Sequence, residues 1–166
     1  MKKRFISLTL VVLTAFVLKT PSSAQLPPEE VTIVENIEVI PSHIVIEDLS
    51  IDLPVKKALI VDGYWEVFED SAAWGDQSGY LGQKGNQVIS AHAREGMFYN
   101  LKNAKNGMVV TVSAGENNFN YKIVSVKKVL PSQIDVVAPT EDETLTLYTC
   151  SDYADSKRLI VTAKRV

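Results

Sequence analysis

From Val31 onward, apolar and polar positions alternate in short β-branched runs that are broken by turn residues. This is the pattern of an all-β sandwich or barrel rather than a helical domain. It predicts strands near 31–34, 44–46, 51–53, 58–61, 87–91, 109–112, 119–127, 144–148 and 159–163. Gly107 and the run Gly115-Glu116-Asn117-Asn118 carry turn chemistry, and the latter closes a hairpin. Val110, Val112, Phe119, Tyr121, Ile123 and Val126 then share its inner face, with imperfect alternation at the end. Helix is scarce, with one or two turns predicted over 66–73 and 97–103. Trp65 and Trp74 read as packing anchors.

The first residues follow a different pattern. Lys2, Lys3 and Arg4 precede a mostly apolar stretch from Phe5 to Leu18, and Ser22-Ser23-Ala24 follow. That order of charge, apolar run and small residues marks 1–25 as a signal peptide or signal anchor. The apolar run is shorter than the roughly 20 residues of a full membrane span and contains Ser7, Thr9 and Thr14. Residues 26–40, with Pro27-Pro28-Glu29-Glu30, read as an extended spacer, and 41–166 as one folded domain. The expected location is extracytoplasmic, either anchored to the cell membrane or secreted to the cell surface. Hydrophobic residues at 46% and charged residues at 22% suit a single globular core. The net charge of −3, with no basic run in the domain longer than a pair such as Lys164-Arg165, argues against a nucleic-acid partner.

Export makes the cysteine count informative. Exported domains that use cysteine structurally pair it in disulfides, and this chain has one, Cys150. A lone thiol is a buried hydrophobe, an inter-chain link, or a reactive group. Its neighbourhood favours the last. Gly85-Asn86-Gln87-Val88-Ile89-Ser90-Ala91 is a buried-looking strand that delivers His92 at its exit. Thr144 to Thr149 alternates and delivers Cys150 at its exit. Arg158 opens the next strand, so thiol and guanidinium sit on the two arms of one connection. A free thiol has a pKa of about 8.5, and a nearby imidazole and guanidinium are expected to favour the thiolate. The imidazole can protonate a leaving amine, while the arginine binds negative charge or substrate backbone. His43 has no nucleophile-type neighbours and reads as structural.

Thr146-Leu147-Tyr148-Thr149-Cys150 resembles the TLxTC signature of the sortase family. Gly85-Asn86 through His92, with Phe98 and Leu101, is similar to that family's GNxxxxxH…F..L block. The resemblance also takes in 41–55 and 107–112, and so nearly the whole exported domain. It implies a closed eight-stranded β-barrel with one or two short helices. It further implies a cysteine transpeptidase in which Cys150 is the nucleophile, His92 the general acid/base and Arg158 the oxyanion and substrate-positioning group. The substrates implied are surface proteins bearing an LPXTG-like sorting signal, cleaved through a thioacyl intermediate. The acceptor implied is an amine of a cell-wall precursor or a pilin lysine.

Thr149, Ser151 and Tyr153, beside the nucleophile, are the candidate substrate-binding residues, and Asp152 shares their loop. The family's catalysis requires no metal or other cofactor, although some members use calcium as an activator. Asp135, Glu141, Asp142 and Glu143 are the acidic residues to test for that, and their composition reads as a solvated loop. Met108 stands where the family usually has Asp, and the 131–143 and 151–157 connections are short, which leaves the subclass open. Two other functions fit the same residues: a thiol endopeptidase that hydrolyses the same signal, and a non-enzymatic exported β-barrel that binds a partner and keeps Cys150 as a core residue.

Overall fold

The computed structural model describes residues 38–166. Ten strands are present: β1 His43–Ile46, β2 Ile51–Ala58, β3 Ile60–Val61, β4 Tyr64–Trp65, β5 Ala72–Gly75, β6 Gly85–Ser90, β7 Val109–Ala114, β8 Asn117–Val129, β9 Glu143–Ser151 and β10 Lys157–Arg165. Eight close into a barrel in the order β1-β2-β5-β6-β9-β10-β8-β7, and β3 and β4 form a separate two-stranded hairpin. The β2–β5 and β6–β9 pairs are parallel, and the other pairs in the barrel are antiparallel. Closure removes the free edges that an eight-stranded sheet would otherwise present.

The period-two pattern decides which residues fill the barrel. Ile44, Ile46, Leu53, Ile89, Val110, Val112, Leu145, Leu147 and Val161 all belong to one buried cluster with Trp74, Phe98 and Tyr121. Burying each Leu- or Val-sized side chain stabilises the fold by about 1.5–3 kcal/mol. Strand β9, with Leu145 and Leu147 fully buried, is therefore held firmly along its length. Gln87 is buried as well, but its amide donates to the Tyr80 carbonyl at 2.8 Å. The Tyr121 hydroxyl lies 3.0 Å from Gln87 Oε1 and 2.6 Å from Glu143 Oε1. Burial, then the bond to Glu143, pushes the Tyr121 phenol above its ordinary range.

Several expected elements differ. Residues 51–53 and 58–61 read as two strands because Pro54, Lys56 and Lys57 interrupt the pattern. In the fold, 51–58 is one strand that changes partner at Pro54, pairing with β1 up to that residue and with β5 from Val55 onward. Residues 66–73 form no helix; Ala72 and Ala73 enter β5 because pairing with β2 and β6 overrides their helix propensity. The 97–103 turn is a 3-10 helix, Phe98–Asn103, and three shorter 3-10 segments occur. The described residues contain no α-helix. The strand expected at 31–34, the export segment and most of the spacer lie outside the described residues.

Candidate active site

Three neighbouring strands converge at one end of the barrel. In the parallel β6–β9 pair, Ser90 lies opposite Tyr148. The Ala91 amide donates to the Tyr148 carbonyl at 3.3 Å, which carries the pairing beyond β6. One step further, His92 reaches the level of Cys150. On the other side of β9, Cys150 lies directly opposite Arg158. Cross-strand neighbours of this kind have Cβ atoms about 5 Å apart. The thiol thus occupies the middle strand, with the imidazole on one flank and the guanidinium on the other.

Specific bonds hold the two flanking residues. The buried Thr149 hydroxyl donates to the Ala91 carbonyl at 2.7 Å, and the Phe98 amide donates to the His92 carbonyl at 3.0 Å. The backbone on both sides of the imidazole is therefore fixed. Arg158 Nε donates to the Tyr148 hydroxyl at 2.9 Å, and Nη1 donates to the carbonyls of Asp155 at 2.6 Å and Lys157 at 3.1 Å. The guanidinium also lies 6.0 Å from the centre of the Tyr148 ring.

The thiol's electrostatics set burial against the Arg158 charge. Burial pushes the Cys150 thiol up from its ordinary value; the Arg158 charge pulls it down by less, and Asp155 adds to the rise. The rate of alkylation by iodoacetamide is expected to rise with pH and to reach half its maximum above the pH found for an ordinary cysteine. Arg158→Gln is expected to move that midpoint higher, and Asp155→Asn to move it lower. A wild-type midpoint below about 8 would contradict burial as the dominant cause.

A groove of about 740 Å³ runs from Arg158 and Tyr148 over the outer face of the barrel. Ile60, Tyr64, Trp65 and Val67, in and after the β3–β4 hairpin, form one wall, and Leu130 to Ile134 with Val136 and Val137 form the other. Exposed apolar side chains at Ile60, Tyr64, Val67, Leu130 and Ile134 give it an apolar lining. Asn86 anchors the second wall, since its side-chain amide donates to the carbonyls of Val136 at 3.2 Å and Ala138 at 3.0 Å. Its other end accepts the Thr146 hydroxyl at 2.7 Å.

The first wall depends on Gly75. A Cβ there would come within 2.4 Å of Trp65 Cε2, and the Trp65 indole is tied to the Asp76 carbonyl at 3.0 Å. Gly75→Ala is expected to lower the unfolding free energy by about 1–3 kcal/mol in urea titration, the usual cost of overpacking. It should also shift tryptophan emission to the red. An unchanged midpoint and spectrum would mean that the indole does not rest on Gly75.

The other predicted residues occupy distinct places. Thr149 faces the barrel interior and supports the His92 strand. Ser151 donates to the Asp152 carboxylate at 3.3 Å, and Tyr153 is almost fully exposed in the 3-10 turn between β9 and β10. None of the three lines the groove. Asp152 holds Lys128. His43 pairs with Asp52 across β1 and β2. Met108 sits in the turn before β7, where the Ile123 amide donates to its carbonyl at 2.9 Å.

Two of the acidic residues considered for calcium, Asp142 and Glu143, are engaged by other groups. Asp142 holds Lys164 at 2.7 Å, and Glu143 accepts from Tyr121 and from the Gly82 amide. The described residues contain no group of three His, Cys, Asp or Glu side chains placed to share a metal ion. Sequence reasoning assigned no role to Asn86, Tyr148 or the hairpin wall. Asn86 did stand in a quoted motif, and its burial next to a short loop was the available signal.

Comparison with known proteins gives a consistent result. The family described as Sortase domain matches residues 44–166. Sortase A of Streptococcus agalactiae serotype III is 31% identical over 129 residues, which cover 73% of this chain and 51% of that protein. Sortase A of Staphylococcus aureus is 37% identical over 76 residues, 42% of this chain and 37% of that protein. The chain thus spans about half the length, or less, of the curated relatives it matches. Among solved structures, sortase A from Corynebacterium diphtheriae has a TM-score of 0.67 at 26% identity, over 76% of this chain and 60% of that one. Group B Streptococcus pilus island 1 sortase C2 has a TM-score of 0.65 at 26% identity, over 80% and 76%. By its barrel, its residue pattern and these likenesses, the chain belongs to the sortase family.

Proposed function

We propose that this protein is an exported cysteine transpeptidase that cleaves an LPXTG-like sorting signal and transfers the acyl half to an amine. The observation that carries this reading is the register that puts Cys150 opposite Arg158, with His92 on the next strand. The sulfur attacks the scissile carbonyl as His92 takes the thiol proton, which the raised thiol retains at rest. Arg158 faces the developing oxyanion. His92 then returns the proton to the departing amine, leaving a thioester on Cys150. An incoming amine attacks the thioester and loses a proton to His92, and the thiol is released. Atoms and charges balance without a cofactor.

The groove suits the acyl half of the substrate. That half must stay bound after the first product leaves, whereas the amine must approach from the open side. The apolar side chains at Ile60, Tyr64, Leu130 and Ile134 match an apolar peptide segment. The positively charged, apolar N-terminal sequence supports an activity outside the cytoplasmic membrane, and the resemblance supports surface proteins as donors, with a cell-wall or pilin amine as acceptor. A half-buried thiol on the outer face also favours chemistry over the inert core cysteine of a binding module.

The reading is tested by incubating the domain with a sorting-peptide library, with and without glycine-terminated and lysine amines. Products are analysed by mass spectrometry. A Cys150 acyl adduct and an amine-linked product are expected. Acid alone with every amine would make the protein a hydrolase, and no cleavage under any condition would remove the enzymatic reading.

A further inference from the structure

The outer side of His92 is turned toward a carboxylate that the proposed chemistry has not used. Glu69, in the segment before β5, places Oε1 3.5 Å from His92 Nε2. Its second oxygen, Oε2, accepts from Arg94 Nη1 at 2.6 Å, and Arg94 Nη2 donates to the Glu69 main-chain carbonyl. Arg94 is itself anchored, because its carbonyl accepts the amides of Met97 at 3.0 Å and Tyr99 at 3.2 Å. The turn that follows the imidazole therefore supplies the clamp that holds the carboxylate against it. Arg94, then His92, lowers the Glu69 carboxyl below its ordinary range, so it is charged whenever the protein is folded at neutral pH.

We infer that Glu69 is a positioning residue for His92, holding the imidazole proton on Nε2 so that Nδ1 is the nitrogen that exchanges protons with the thiol and the leaving amine. This inference rests on the transpeptidase reading for its effect on rate, but not for its effect on the imidazole. A carboxylate that accepts from one ring nitrogen fixes both the tautomer and the plane of the ring, and it stabilises the imidazolium formed during attack. By sequence and strand register, the other charged or titratable groups nearest His92 are Arg94 and Glu95 on its own turn, Cys150 on β9 and Arg158 on β10. Glu69 is the acid paired with it. Because Glu69 is mostly exposed, the interaction is screened by solvent and salt, and its effect is moderate.

The chain has two histidines, so nitrogen-15 NMR of the imidazoles resolves the question in the free protein, with His43→Gln identifying the signals. Wild type is expected to show a neutral His92 protonated on Nε2. Glu69→Gln should give a mixed tautomer, with the His43 signals unmoved. Arg94→Gln, which frees the carboxylate, should mix the tautomers in the same direction by less. In peptide transfer, Glu69→Gln is expected to lower kcat about fivefold with KM unchanged, with Glu69→Asp intermediate, and about 1 M salt should erase the difference. An unchanged tautomer in Glu69→Gln would overturn the inference. If the expected NMR changes occur in a protein that transfers no peptide, the Glu69–His92 coupling stands and the transpeptidase reading falls.

Discussion

Cys150→Ala is expected to reduce acyl transfer by at least about a thousandfold, because the covalent route disappears with the sulfur. The folded state should hardly register the change. Cys150 is only half-buried on the barrel's outer face, where a small substitution shifts stability by about 1 kcal/mol or less. Urea midpoints within that range, together with lost turnover, would separate chemistry from folding. Cys150→Ser should be nearly as inactive, since a hydroxyl is a far weaker acid than the thiol that His92 must deprotonate. His92→Ala alone should cost about a hundredfold to ten-thousandfold, the range for losing a general acid and base. The double variant should be no slower than Cys150→Ala, because the imidazole acts only through the sulfur and the amine that leaves it. Additive losses would mean that His92 has a second task, and a Cys150→Ala protein that retains transfer would end the cysteine mechanism outright.

The parts of this site that were legible in the sequence are those written at strand ends. Alternation over 144–148 fixes which side chains of β9 enter the core, and hence that Cys150 leaves it with Tyr148 and Thr146. Arg158 follows because a short connection between antiparallel strands returns the chain to the same end. The groove was not legible for a physical reason. Its walls are a two-residue hairpin and a loop, whose exposed Ile60, Tyr64, Leu130 and Ile134 follow no period and look like isolated surface apolar residues. The expected substrate-binding residues, Thr149, Ser151 and Tyr153, lie near Cys150 in sequence. Along a strand, however, neighbours point to opposite faces, so Thr149 supports the interior while Cys150 is turned to the outer face with Tyr148. Glu69 was hidden differently, since it meets His92 only after β5 and β6 have paired.

Arg158 should tolerate lysine almost as poorly as glutamine. A single positive charge would suffice if its role were only to lower the thiol's proton affinity, and Arg158→Lys would then retain most activity. The geometry asks for more. Nε is committed to the Tyr148 hydroxyl and Nη1 to the Asp155 and Lys157 carbonyls, which fixes the guanidinium plane and leaves Nη2 without a partner among the described residues. A lysine ammonium cannot brace itself on Tyr148 and on the β9–β10 turn while presenting a donor to the substrate. The turn it braces is itself costly, since Asp152, Ala154 and Asp155 all have positive φ without being glycine. The expected losses in kcat/KM are about a hundredfold for Arg158→Lys and up to about a thousandfold for Arg158→Gln, carried mainly by kcat, as for removal of an oxyanion donor. Tyr148→Phe should cost about fivefold in the wild type, the scale of one lost hydrogen bond, and close to nothing in Arg158→Lys. That cycle separates bracing from charge: a Tyr148→Phe effect of equal size in both backgrounds would show that the hydroxyl acts independently of the guanidinium.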